Sequence, residues 1–187
     1  MRRSFLARWL PNLLLLGVTL AVGLGFSELA VRLIAPQAVM LWHDGPFAQD
    51  EPGFFRMRPG HQGTLTNRVE YTNAIRINAA GLRGADVEPP ADGTCRALAI
   101  GDSFTFGVGV EEAELFHRLA AVELGESGRE TQMLNGGIPA IGVPQAVRWL
   151  ERHGLALAPD LVLLNVFIGN DLRDAEVDTD RWNVIDG

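Results

Sequence analysis

The chain has 187 residues, 47% of them hydrophobic, with a formal net charge of −7 and a mean hydropathy of +0.10. That length suits one globular domain of roughly 100–200 residues beside an unusually apolar segment. The acidic balance disfavours nucleic acid as a partner, because a phosphate backbone would be repelled over most of the surface. Cys95 is the only cysteine, which excludes an intrachain disulfide, and no Cys/His cluster has metal-ligand spacing.

The apolar excess lies at the front. Residues 13–26 carry no charge, Arg2, Arg3 and Arg8 precede them, and Trp9 stands at the entrance. Residues 9–30 reach the roughly 20 residues that a bilayer-crossing helix needs. Glu28 and Arg32, four apart, can pair where such a helix leaves the lipid. Residues 1–35 are therefore read as a single-pass signal anchor. The arginine bias keeps its N-terminus in the cytoplasm and puts the rest on the extracytoplasmic side. A cleaved signal peptide cut after Ala21-Val22-Gly23, or a twin-arginine export signal at RRSFL, leads to the same side. The bland alternative is a buried helix of a soluble protein.

Residues 36–94 form a lead-in punctuated by Gly45-Pro46, Pro52-Gly53, Pro59-Gly60 and Pro89-Pro90. Short alternating runs at 69–72 and 75–78 predict small strands. From residue 95 to 187 the pattern becomes strand, helix, strand, helix, strand. An apolar run at 97–100 leads into GDSFTFGVGV. A helix is expected over 111–124, with Leu115, Leu119 and Val122 on one face and Gly125 as its stop. A strand at 132–134 enters NGGIPAIG, and a helix over 144–153 starts at Pro144 and stops at Gly154. The strand at 160–167 ends in GNDLRD. This order implies an α/β fold with a parallel sheet and right-handed crossovers.

In such a sheet ligands bind beyond the carboxyl ends of the strands, so the three unusual loops converge on one edge. Ser103 lies in the first, where backbone N–H groups can face developing negative charge. A serine in that place can also merely cap the following helix. Phosphate or flavin binding is a further reading of the Gly-rich turn, although it matches neither G-x-G-x-x-G nor the P-loop. The Asn170 amide could reach the same point as Ser103, or could stabilise its own turn. Asp102 and Asp171 are read as loop braces. Among the histidines, His117 is expected to be a partly exposed structural residue, and His153 to sit at the opposite sheet edge.

Together these loops resemble the SGNH/GDSL hydrolase superfamily. GDSFTFG at 101–107 is similar to its first block, LNGGIPAIGVPQ at 134–145 to its second and GNDLRD at 169–174 to its third. INAAGLRG at 77–84 is similar to the lead-in of membrane-tethered members. The resemblance implies a three-layer α/β/α, flavodoxin-like sheet, incomplete here, preceded by a transmembrane helix. It implies a serine esterase without cofactor or metal, acting on a small-molecule, carbohydrate or lipid acyl ester. Ser103 would be the nucleophile and an oxyanion donor through its own N–H, and Asn170 the side-chain donor. Aligned from Asn135, the oxyanion glycine falls on Ala140, whose N–H serves if its φ is negative, with Gly142 as the alternative. Gly101, Asp102, Asn135, Gly137, Gly142, Gly169 and Asp171 would support the loops. The family's D-x-x-H block has no counterpart after Asn170, so the expected base lies beyond Gly187 in a longer chain. A membrane-anchored module that has lost catalysis, or an O-acyltransferase, are the rival expectations.

Overall fold

A computed structural model describes residues 3–35, 41–42, 45–51 and 54–169. The chain forms two compact units, Met1–Val39 and Met40–Gly187. The first is helix α1 (Arg3–Ile34), whose Trp9–Ile34 stretch is long and apolar enough to cross a membrane. Its 26 residues span about 39 Å at 1.5 Å each, more than a hydrocarbon core requires. The helix is apolar all round, and none of that stretch is buried within the protein. Thr19 turns its hydroxyl back onto the Leu15 carbonyl (2.8 Å), and Arg32 pairs with Glu28 (2.7 Å).

In the second unit the lead-in supplies β1 (Leu41–Trp42), β2 (Phe47–Glu51), β3 (Phe54–Met57), β4 (Gln62–Thr66) and β5 (Thr72–Arg76). β2 pairs with β3, and β1, β4 and β5 form an antiparallel sheet in that order. The 69–72 run expected as a strand is instead mostly the β4–β5 turn. The Asn67 carboxamide oxygen accepts from the backbone N–H groups of Val69, Glu70 and Tyr71, which curls the chain before alternation can act. β5 alternates correctly, burying Asn73 and Ile75.

The α/β half contains β6 (Cys95–Gly101), α2 (Ser103–Phe106), α3 (Phe116–Glu126), β7 (Thr131–Gly137), α4 (Val143–Trp149) and β8 (Leu161–Leu164). The three strands are parallel in the order β7-β6-β8, with Ala97 beside both Met133 and Leu161. β6 is central and buried on both faces, as its near-continuous apolar run requires. At its entry the Arg96 side chain donates to Gln132, Leu157 O and Glu88 O, while its N–H meets Asp160. One sheet face, with Ala97, Met133 and Leu163, shares a groove with Ala120 and Leu124 of α3. The other face takes Trp149 of α4 against Gly136. Phe54, Met57, Leu65, Ile75 and Ile77 of the lead-in join Leu98, Ile100, Leu134 and Trp149 in one continuous core.

The helix expected over 111–124 is broken. A 3-10 turn at Glu112–Glu114 ends at Leu115, which is extended (φ −63°, ψ 134°), and α3 starts after it. Leu115 is buried against Gly107, but Leu119 and Val122 are 56% and 61% exposed. The break rotates the helix, so the inward positions become His117, Ala120, Ala121 and Leu124, themselves at i, i+3, i+4 and i+7. The helix over 144–153 is α4 continued by a π-type segment, Leu150–Gly154. The last strand ends three residues earlier than residue 167, although Asn165 N–H still donates to Ile100 O (2.9 Å).

Candidate active site

β6 ends at Gly101, φ +153°, where a Cβ would collide with the Thr105 hydroxyl and lie 2.7 Å from Asn165 O. The close approach of the β8 exit thus leaves room only for glycine. Asp102 follows, buried, its Oδ1 accepting from Phe104 N–H (2.9 Å). Asp102 therefore caps α2, and Ser103 is the helix's first residue rather than its cap. Ser103 is half-buried. Phe104 points outward and stacks on Phe167, ring centroids 4.0 Å apart.

The loop after β7 locks onto α2 from behind. Asn135, 1% exposed, donates through Nδ2 to Thr105 O (2.9 Å), and its Oδ1 accepts from Gly137 N–H (2.9 Å). Ile138 N–H donates to Gly101 O (2.9 Å). Gly137 has no room for a side chain, since a Cβ would run into the backbone of Thr105 and Phe106. Ala140 is exposed with φ +65°, so the negative φ on which its donor role depends is not what the chain adopts. Asn135 holds the loop at one end and Gly142, whose N–H donates to the Gln145 side chain (3.1 Å), at the other. The short span between them reverses at Ala140. Gly169 is exposed and lies against the Phe167 ring. Asn170 and Asp171 lie outside the described residues.

A cleft of about 250 Å³ opens between the first turn of α2 and the exit of β8. Asp102, Phe104, Thr105, Phe116 and residues 165–167 line it, so phenylalanines at 104, 116 and 167 supply part of its wall. Ser103 lies between Asp102 and Phe104 in the chain but is not itself one of the lining residues. Asp102 Oδ2 and Thr105 Oγ1 are buried with no hydrogen-bond partner among the described residues. Among the described residues no histidine lines the cleft. Among the described residues no group of three or more His, Cys, Asp or Glu could hold a metal ion.

His117 is 4% exposed, not partly exposed as its position beside Phe116 suggested. The Leu115 break turns it inward, where Nδ1 lies 3.4 Å from Asn135 Nδ2. Burial, with help from Arg118 and Arg83, pushes its pKa down to about 4, so the ring is neutral at pH 7 and can accept from Asn135. His153 lies near the Trp149 and Phe54 rings, both 6.2 Å away. Sequence reasoning gave Arg83 no role of its own, yet its guanidinium reaches the carbonyls behind Ser103. The only signal was its place inside INAAGLRG.

No protein-family model matches this chain, and no curated protein is significantly similar to it.

Proposed function

We propose that the protein is a membrane-tethered serine hydrolase of the SGNH/GDSL type, with a flavodoxin-like sheet and Ser103 as its nucleophile. The observation that carries this reading is the position of Ser103. It follows the central strand at the point where the strand order reverses between β6 and β8, next in the chain to two residues that line a cleft. Crevices at such reversals are the usual ligand sites of open α/β sheets. In the reaction the Ser103 Oγ–H bond loses its proton to a general base, and Oγ attacks an ester carbonyl. The alcohol then leaves, and water or a second alcohol releases the acyl group. The Ser103 N–H, with the Asn170 amide, would receive the oxyanion; the left-handed Ala140 and the Gly142 N–H, which already donates to Gln145, are not counted among the donors. Hydrolase and O-acyltransferase share the first half of this scheme. Arg2, Arg3 and Arg8, ahead of the apolar stretch, support a cytoplasmic N-terminus with the hydrolase unit outside.

The test is labelling of the full chain with a fluorophosphonate. Reaction at Ser103, lost in Ser103→Ala, supports the hydrolase. A folded but unreactive protein would instead favour a membrane-anchored binding module. Two observations speak for that second reading, the left-handed Ala140 and the lack of a histidine along the cleft among the described residues. A flavin would appear in the absorbance spectrum of the purified protein.

A further inference from the structure

Arg83 reaches the back of the nucleophile turn from the lead-in. The Asn78 carboxamide oxygen accepts from Ala80 and Leu82 N–H, folding 78–82 into a tight loop that presents Arg83. Its guanidinium is buried. Nη1 donates to Phe106 O (2.8 Å) and Gly107 O (2.5 Å), and Nη2 to Val110 O (2.6 Å). The plane also lies over the Phe106 ring, 4.8 Å from its centroid. The first two of these carbonyls terminate α2, and a helix of four residues cannot hold its own shape. The planar fork spreads its N–H donors over separate nitrogens, which lets one side chain serve three divergent acceptors at once. A lysine ammonium could not do so from the same stem.

The buried cation is held charged by its surroundings. Burial lowers its pKa to about 10, against Glu112 and Glu111, which raise it. Both carboxylates are steadied from β5, Glu111 by Asn73 (2.7 Å) and Glu112 by Arg76 (2.8 Å). On the outer side the Tyr71 ring lies against Gly109, where a Cβ would come within 3.2 Å of it. The lead-in thus grips residues 106–110 from two directions.

We propose that Arg83 is a positioning residue for Ser103, fixing the far end of α2, the short helix whose first residue is the serine. This inference rests on the serine-hydrolase reading. The experiment compares full-length wild type with Arg83→Lys, Arg83→Ala and Tyr71→Ala. It follows thermal unfolding, the fluorophosphonate labelling rate of Ser103, and kcat and KM for a p-nitrophenyl ester. Folded Arg83→Lys should label at least about tenfold more slowly, with kcat falling in step and KM within about twofold. Misplacing a reactive group by an ångström has effects of that size or larger. Methylguanidinium should restore part of the rate in Arg83→Ala, which a loss of packing alone would not allow. If the Arg83 variants do not fold, Tyr71→Ala, which loosens the same turn from outside, should still label several-fold more slowly. Wild-type labelling in the folded variants overturns the role of Arg83 and leaves the hydrolase reading intact. A folded wild type that does not react overturns both.

Discussion

At the scale of single residues, the candidate site is an arrangement in which small changes have large, signed consequences. Gly137 touches the α2 backbone, so Gly137→Ala must push that helix away. Overpacking of this kind costs about 1–3 kcal/mol, and Ser103 reactivity should fall further than stability does. Denaturant titration beside labelling separates the two effects. Ala140 behaves oppositely. An L-residue at φ +65° is strained, so Ala140→Gly should raise stability by about 1 kcal/mol, while Ala140→Val should lower it. An unchanged unfolding midpoint in both would mean that the loop does not hold this conformation in solution. His117 gives a pH signature. In the unfolded chain it takes up a proton near pH 6.5, in the folded one only near pH 4. Between those values the unfolded state binds more protons, so stability drops as pH falls from about 6.5 towards 4. The full effect is roughly 3 kcal/mol for this buried ring. The difference curve between wild type and His117→Gln, measured by urea unfolding, should carry that slope.

At the scale of elements, the decisive event is the break at Leu115. Periodicity over 111–124 correctly announced a helix, but α3 begins only at Phe116 and runs to Glu126. The buried stripe was not, because a pattern of leucines cannot reveal that one of them is needed elsewhere. Leu115 leaves the helix to fill the space beside Gly107, and the remaining turns rotate His117 into the core. The lead-in shows the same limit. Alternation correctly marked Ile75 as part of a strand, but at 69–72 the Asn67 side chain bound three backbone N–H groups and made a turn. The other crossover is simpler. α4 was legible from Pro144 and Gly154, and its Trp149 fills the opposite sheet face against Gly136. Trp149→Ala should cost about 3–5 kcal/mol, readable in equilibrium unfolding, and should spare α1 entirely.

At the scale of the whole molecule, the two units differ in the surfaces that they expose. α1 exposes apolar side chains around its circumference, which water does not stabilise and hydrocarbon does. A charge at its middle, as in Leu20→Arg, should cost about 2.5–3.5 kcal/mol on insertion. Retention of the protein in carbonate-washed membranes should fall accordingly, and full retention would argue against a spanning helix. The unit from Met40 onward is the reverse case, a mixed helix and strand body around one core. The sequence by itself determined the apolar helix, the alternation of strand and helix, and the parallel sheet. All of these follow from local periodicity and the handedness of crossovers. Only the tertiary structure decided that the strand order reverses at Ser103, that Asp102 and not Ser103 caps α2, and that Asn135, His117 and Arg83 meet behind the turn. Those contacts join residues distant along the chain, and each depends on side-chain direction and on which donors remain unpaired after packing. No local pattern encodes that.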